Sequence, residues 1–146
     1  MSEHAILIAD DEPHDIALVR RFFVKARIMN PLKTVPDGAE AINYLKGEGK
    51  YADRLFFPYP GLLLLDLKMP RKSGWDVLVW IQEQEPPPLG VVVLSGADDI
   101  HTIGRAYKLG ADSFLVKPLL FDDFLNLISW LRNSPQRSST YHLEFA

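Results

Sequence analysis

The residues that could do chemistry stand at the ends of apolar runs. Asp10, Asp11 and Glu12 follow "AILIA" at 5–9, Asp66 follows "LLLL" at 62–65, Ser95-Gly96 follows "VVVL" at 91–94, and Lys117-Pro118 follows "FLV" at 114–116. Each has a plainer reading by itself. Acids at a helix start complement its dipole, an Asp opening a loop accepts backbone hydrogen bonds, and a lysine is commonly a solvated charge. Brought together they offer more. Crowded carboxylates repel one another and favour a hard cation, and Mg²⁺ takes one or two carboxylates together with waters and phosphate oxygens. A carboxylate beside such an ion can attack phosphorus to give an aspartyl phosphate. An ammonium and a hydroxyl supply the charge neutralisation and hydrogen bonding that phosphoryl transfer needs. On this reading Asp66 is the nucleophile.

The elements around these residues must bring them together. The runs at 5–9, 62–65, 91–94 and 114–116 are apolar throughout, as strands buried on both faces are, and "LKTV" at 32–35 reads as an edge strand. Between them the period becomes helical. Ile16, Val19, Arg20, Phe23 and Val24 share one face of a helix over 13–28, with Pro13 in its first turn, where no N–H is missed. "DGAEAINYLKG" at 37–47 runs from an Asp cap to a Gly stop, and "GWDVLVWIQEQ" at 74–84 ends before Pro86-Pro87-Pro88. Two further helices read over 98–110 and 121–133. Strands alternating with helices predict a doubly wound α/β fold, a five-stranded parallel sheet with helices on both faces. All carboxyl ends of such strands lie along one edge, where ligands bind. The irregular stretch 47–60 holds Tyr51, Phe56, Phe57 and Tyr59, so it is expected to pack on the body.

A chain of 146 residues, 47% hydrophobic, suffices for one buried core. Its formal net charge of −3 and the lack of a Lys/Arg block argue against direct nucleic-acid binding. With no cysteine, disulfides and thiolate metal sites are excluded. No leader pattern opens the chain, and no apolar run approaches the roughly 20 residues of a membrane span, so a cytoplasmic, soluble protein is expected. His4, His14, His101 and His142 show no ligand spacing, and Trp75 and Trp80 read as packing residues.

The motifs "ADDE", "LLLLDLKMPRKSG", "VVVLSG" and "LGADSFLVKP", in this order and spacing, resemble the receiver domains of two-component response regulators over residues 4–132. The resemblance implies a flavodoxin-like strand order 2-1-3-4-5, the order for which a chemotaxis member of that family is a known example. It makes Asp10 and Asp11 the acid pair that positions Mg²⁺, with Asp66 and the backbone carbonyl of Lys68 as further ligands. Asp66 becomes the phosphoacceptor, supplied by the phosphohistidine of a sensor histidine kinase. Ser95 would hydrogen-bond the phosphoryl group, Lys117 would pair with it, and the Lys117-Pro118 bond would be cis. Phe114 stands at the aromatic switch position, often Tyr in the family; lacking a hydroxyl, its two rotamers differ by packing alone. A plain core aromatic is the other reading of Phe114. The insertion before the third strand, "DDI...YKLGADSFLVKP" and the absence of an output domain resemble the small regulators paired with bacterial phytochromes.

A receiver of this kind is a signalling protein that catalyses only its own phosphoryl transfer and dephosphorylation. Residues 1–132 would form the receiver and 133–146 a tail, either frayed or an arm whose Tyr141, Leu143 and Phe145 dock on a partner. Phe121, Phe124, Leu125, Leu127, Ile128, Trp130 and Leu131 on the last helix, with Ile100, Ile103 and Tyr107, exceed one core-facing stripe. The surplus predicts a homodimer through helix 4, strand 5 and helix 5. Two rival readings are a scaffold that is never phosphorylated and a haloacid-dehalogenase-like phosphatase. The latter wants a second Asp where Lys68 stands.

Overall fold

A strand with leucine at four successive positions must be covered on both sides. In the computed structural model, which describes residues 4–96, 99–133 and 143–146, it is. The chain runs β1 (Ala5–Ala9), α1 (Pro13–Lys25), β2 (Leu32–Val35), α2 (Gly38–Lys46), a single 3-10 turn (Gly49–Tyr51), β3 (Pro60–Asp66), α3 (Gly74–Gln84), β4 (Gly90–Ser95), α4 (Ile100–Lys108), β5 (Ser113–Val116) and α5 (Phe121–Asn133). The strands form one parallel sheet in the order β2-β1-β3-β4-β5, as expected.

Alternate side chains of each strand serve opposite faces. Ile6, Ile8, Leu62, Leu64, Val92 and Leu94 pack with Val19, Phe22 and Phe23 of α1 and with Phe124, Leu127, Ile128 and Leu131 of α5. Leu7, Ala9, Leu63, Leu65, Val91 and Val93 pack with residues of α2 and α3 and with Ala106 of α4. Trp75 and Trp80 lie half-buried against this second cluster, in the packing role expected of them.

Several local expectations are corrected. Helix α1 ends at Lys25, not at 28, because Arg27 takes the left-handed region (φ 61°) and turns Ile28 into the core. Its buried face is Val19, Phe22 and Phe23, a spacing of three and four, while Val24 falls on the opposite side and is 80% exposed. Asp66 and Ser95 belong to the last positions of β3 and β4 rather than to the loops beyond. Helix α4 starts after its cap Asp99, whose carboxylate accepts from the Thr102 amide; Asp98 lies outside the described residues. So do Tyr141 and His142 of the tail, but Leu143 and Phe145 pack on the α1–α5 face, and Phe145 pairs antiparallel with Ile28 of the same chain.

The stretch 47–60 packs on the body for most of its length. Tyr51 is buried, and the Phe57 ring meets Tyr44 and Tyr51 edge-on. Arg54 donates to the carbonyls of Tyr44, Leu45 and Phe57, which satisfies the end of α2. Leu55 and Phe56 at its tip are exposed.

Two glycines set how closely the loop after β3 approaches its neighbours. A Cβ on Gly74 would lie 2.3 Å from the Asp66 carbonyl oxygen, and one on Gly38 would lie 2.3 Å from that of Lys72. We expect Gly74→Ala to cost about 1–3 kcal/mol in urea unfolding, because the end of β3 must shift to admit the methyl group.

Candidate functional site

The sheet register assembles the site. Ala9 pairs with Leu65 and Asp66 with Leu94, so the chain leaves β1, β3 and β4 side by side with Asp10, Asp66 and Ser95 at the same edge. Asp10 is fully buried, Asp66 and Ser95 are nearly so, and Asp11 is exposed. The Asp10 amide is held by the Val35 carbonyl, and its Oδ1 accepts from the Glu12 amide at 2.9 Å. Asp66 Oδ1 accepts from the Lys68 amide at 3.2 Å. Carboxylate oxygens of Asp10, Asp11 and Asp66 lie within 4.8 Å of one another. Such a set of hard oxygens, open to solvent through Asp11, fits a small divalent cation.

Lys117 extends from the end of β5 into this cluster. Its amide donates to the Ser95 carbonyl at 2.8 Å, and the bond to Pro118 is cis, as expected. Its Nζ lies 3.0 Å from Asp10 Oδ2, 3.3 Å from Asp66 Oδ2 and 2.6 Å from Asp15 Oδ2. Burial works against the ammonium, but the hydrogen bonds to Asp15 and Asp10 and the charges of Asp10 and Asp66 outweigh it, so its pKa rises. For Asp10, burial dominates over the helpful Glu12 and Lys117 contacts and pushes the carboxyl up to about 6.

The loop after Asp66 is anchored away from the cluster. Arg71 donates through both Nε and Nη2 to Asp37 Oδ2, and Asp37 is buried while also capping α2 through the Glu40 amide. The Gly38 amide donates to the Lys72 carbonyl at 2.8 Å. Beyond the loop, Ser73 and Asp76 close a reciprocal cap on α3. Phe114 is half-buried against the α2–α3–α4 cluster, between the two readings open to it.

The expected residues Asp10, Asp11, Asp66, Ser95 and Lys117 therefore meet at one edge. Two residues with a part here were not singled out from the sequence. Asp37 was read only as a helix cap, and its second role depends on a residue 34 positions away. Asp15, the third residue of α1, reads as one more first-turn acid; its position five residues after Asp10 was the available signal, and only the reach of Lys117 gives it meaning.

Residues 6–129 match the model of the response regulator receiver domain. The chain belongs to this family. It is 29% identical over 129 residues to the response regulator Rcp1 of Synechocystis, covering 88% of this chain and 86% of that protein. The solved Mn²⁺-bound form of Rcp1 superposes with a TM-score of 0.75 at 25% identity, covering 98% of this chain and 99% of that one. A response regulator in red light signaling of R. palustris gives a TM-score of 0.80 at 31% identity, with 98% and 99% coverage. The phosphorylated cyanobacterial phytochrome response regulator RcpA gives 0.76 at 29%, with 97% and 99% coverage. The receiver thus has phytochrome-associated relatives. No helix among the described residues is long and apolar enough to cross a membrane.

The raised Asp10 pKa sets a pH dependence. A carboxyl whose pKa rises from 3.8 to about 6 on folding holds more protons folded than unfolded between those values. Its unfavourable contribution to stability is absent below about 3.8 and grows as pH rises to about 6. Metal ligands must be deprotonated, so if this cluster takes a divalent cation, calorimetric titration should show its affinity rising from pH 5 and passing half its plateau near pH 6.

Proposed function

We propose that this receiver accepts a phosphoryl group on Asp66 from the phosphohistidine of a sensor histidine kinase, in a Mg²⁺-dependent reaction. The observation that carries this reading is the convergence of Asp10, Asp11 and Asp66 within 4.8 Å, with the Lys117 ammonium 3.3 Å from Asp66. Asp10, Asp11, Asp66 and the Lys68 backbone carbonyl would hold the cation, which when bound neutralises charge on the transferring group. An Asp66 carboxylate oxygen attacks phosphorus in line, the P–N bond of the phosphohistidine breaks, and the imidazole keeps the electron pair and takes up a proton. The product is an acyl phosphate on Asp66. Lys117 pairs with one phosphoryl oxygen, and the Ser95 hydroxyl donates to another.

Phosphorylation adds roughly one to two negative charges at the sheet edge. Ser95 moving toward them leaves room for Phe114 to turn inward, and the surface of α4, β5 and α5 answers. Tyr107, Val116, Leu120 and Trp130 are exposed there, and Ile100 is 80% exposed. An apolar patch of this kind suits a homodimer. Output is then protein contact rather than nucleic-acid binding, with residues 1–132 forming the receiver. The light-signaling and phytochrome regulators among the relatives support a bacterial phytochrome as the kinase, with the pair acting in the cytoplasm.

Incubation with acetyl phosphate, read by intact-protein mass, should add one phosphoryl group only when Mg²⁺ is present and not at all in Asp66→Asn. No addition to the native chain, with a cognate histidine kinase also supplied, would leave the scaffold reading. Sedimentation at micromolar concentration should show a dimer that Trp130→Glu dissociates; a monomer in all phosphorylation states would refute the interface.

A further inference from the structure

Lys117 has a partner that the phosphoryl site does not require. The shortest of its contacts, 2.6 Å, is to Asp15, against 3.0 Å to Asp10 and 3.3 Å to Asp66. Asp15 sits in the first turn of α1, where its own amide donates to the Glu12 carbonyl at 3.1 Å. It stands outside the trio of mutually close carboxylates formed by Asp10, Asp11 and Asp66. Its side chain is 14% exposed and that of Lys117 is 18% exposed, so solvent screens the pair only weakly.

A conflict over charge follows. The Lys117 ammonium and a divalent cation both draw on Asp10 and Asp66. If Lys117 had only these carboxylates, binding the cation would strip the ammonium of its partners and bring two positive centres together. Asp15 offers a third carboxylate, nearer than either and reached from the side of α1.

We infer that Asp15 is a positioning residue for Lys117: it keeps the ammonium paired when Asp10 and Asp66 turn to the cation, and so makes room for both positive groups in one site. The inference rests on the proposed Mg²⁺-dependent function, but it concerns a residue which that reading leaves idle. Without Asp15 the ammonium settles fully on Asp10 and Asp66 and competes for them. Mg²⁺ affinity then falls, and it falls because of Lys117.

The test is a double-mutant cycle read by calorimetric Mg²⁺ titration of the unphosphorylated chain: native, Asp15→Asn, Lys117→Met and the double variant. Asp15→Asn should weaken Mg²⁺ binding roughly three- to tenfold when Lys117 is present, and by less than about twofold in Lys117→Met. Lys117→Met alone should bind Mg²⁺ more tightly than the native chain. Equal weakening in both backgrounds would mean that Asp15 contributes only a diffuse negative charge, and no weakening in either would mean that it does nothing here; both overturn the inference. Thermal unfolding of each variant confirms a folded domain, and Asp15→Ser substitutes for Asp15→Asn if the latter does not fold. A native chain that binds Mg²⁺ but shows no coupling sinks the inference alone. A native chain that does not bind Mg²⁺ sinks the proposed function as well.

Discussion

The arrangement at the sheet edge depends on one ammonium. Asp10, Asp15 and Asp66 gather like charges around Lys117, whose Nζ lies within 3.3 Å of each. Buried ion pairs are stable only when the geometry is good and the remaining polar atoms are satisfied. Here the second oxygens of Asp10 and Asp66 accept from the backbone amides of Glu12 and Lys68. If a cation binds as proposed, Asp10 and Asp66 turn to it while Asp15 keeps the ammonium paired.

What brings these groups together is the sheet. With both faces covered, β1, β3 and β4 have no freedom to slip, because a one-residue shift would exchange Ile6 and Ile8 for Leu7 and Ala9 and mismatch the two cores. The fixed register places Asp10, Asp66 and Ser95 abreast. The Asp37–Arg71 pair and the close packing at Gly38 and Gly74 then secure the loop after β3 without using any side chain of the cluster.

Most of this could be read from the sequence because it depends on local pattern. Unbroken apolar runs mark strands covered on both faces, and the chemistry-bearing residues follow directly from them. What escaped was set by longer reach. Arg27 in the left-handed region gives no warning in its residue type, and the helical pattern of the sequence runs past Lys25, where α1 ends. Val24 looked like a core residue, yet the ring pair at Phe22 and Phe23 claimed the face. Asp15 and Asp37 have ordinary helix-start roles in sequence and acquire their other contacts only when β5 and the loop after β3 arrive. The family's motifs name the acids, the hydroxyl and the lysine, and Asp15 and Asp37 lie outside the motifs quoted from the sequence.

The insertion before β3 has a different bearing. Arg54 ties both of its flanks to main-chain oxygens, those of Tyr44 and Leu45 on one side and Phe57 on the other. Beyond these anchors Leu55 projects from the tip almost wholly exposed, while the neighbouring Phe56 ring rests edge-on against Phe57 and beneath the Lys33 ammonium. That tip is a natural graft point: a dye, an epitope or a tether attached there would ride on the domain while the strand termini stay as they are.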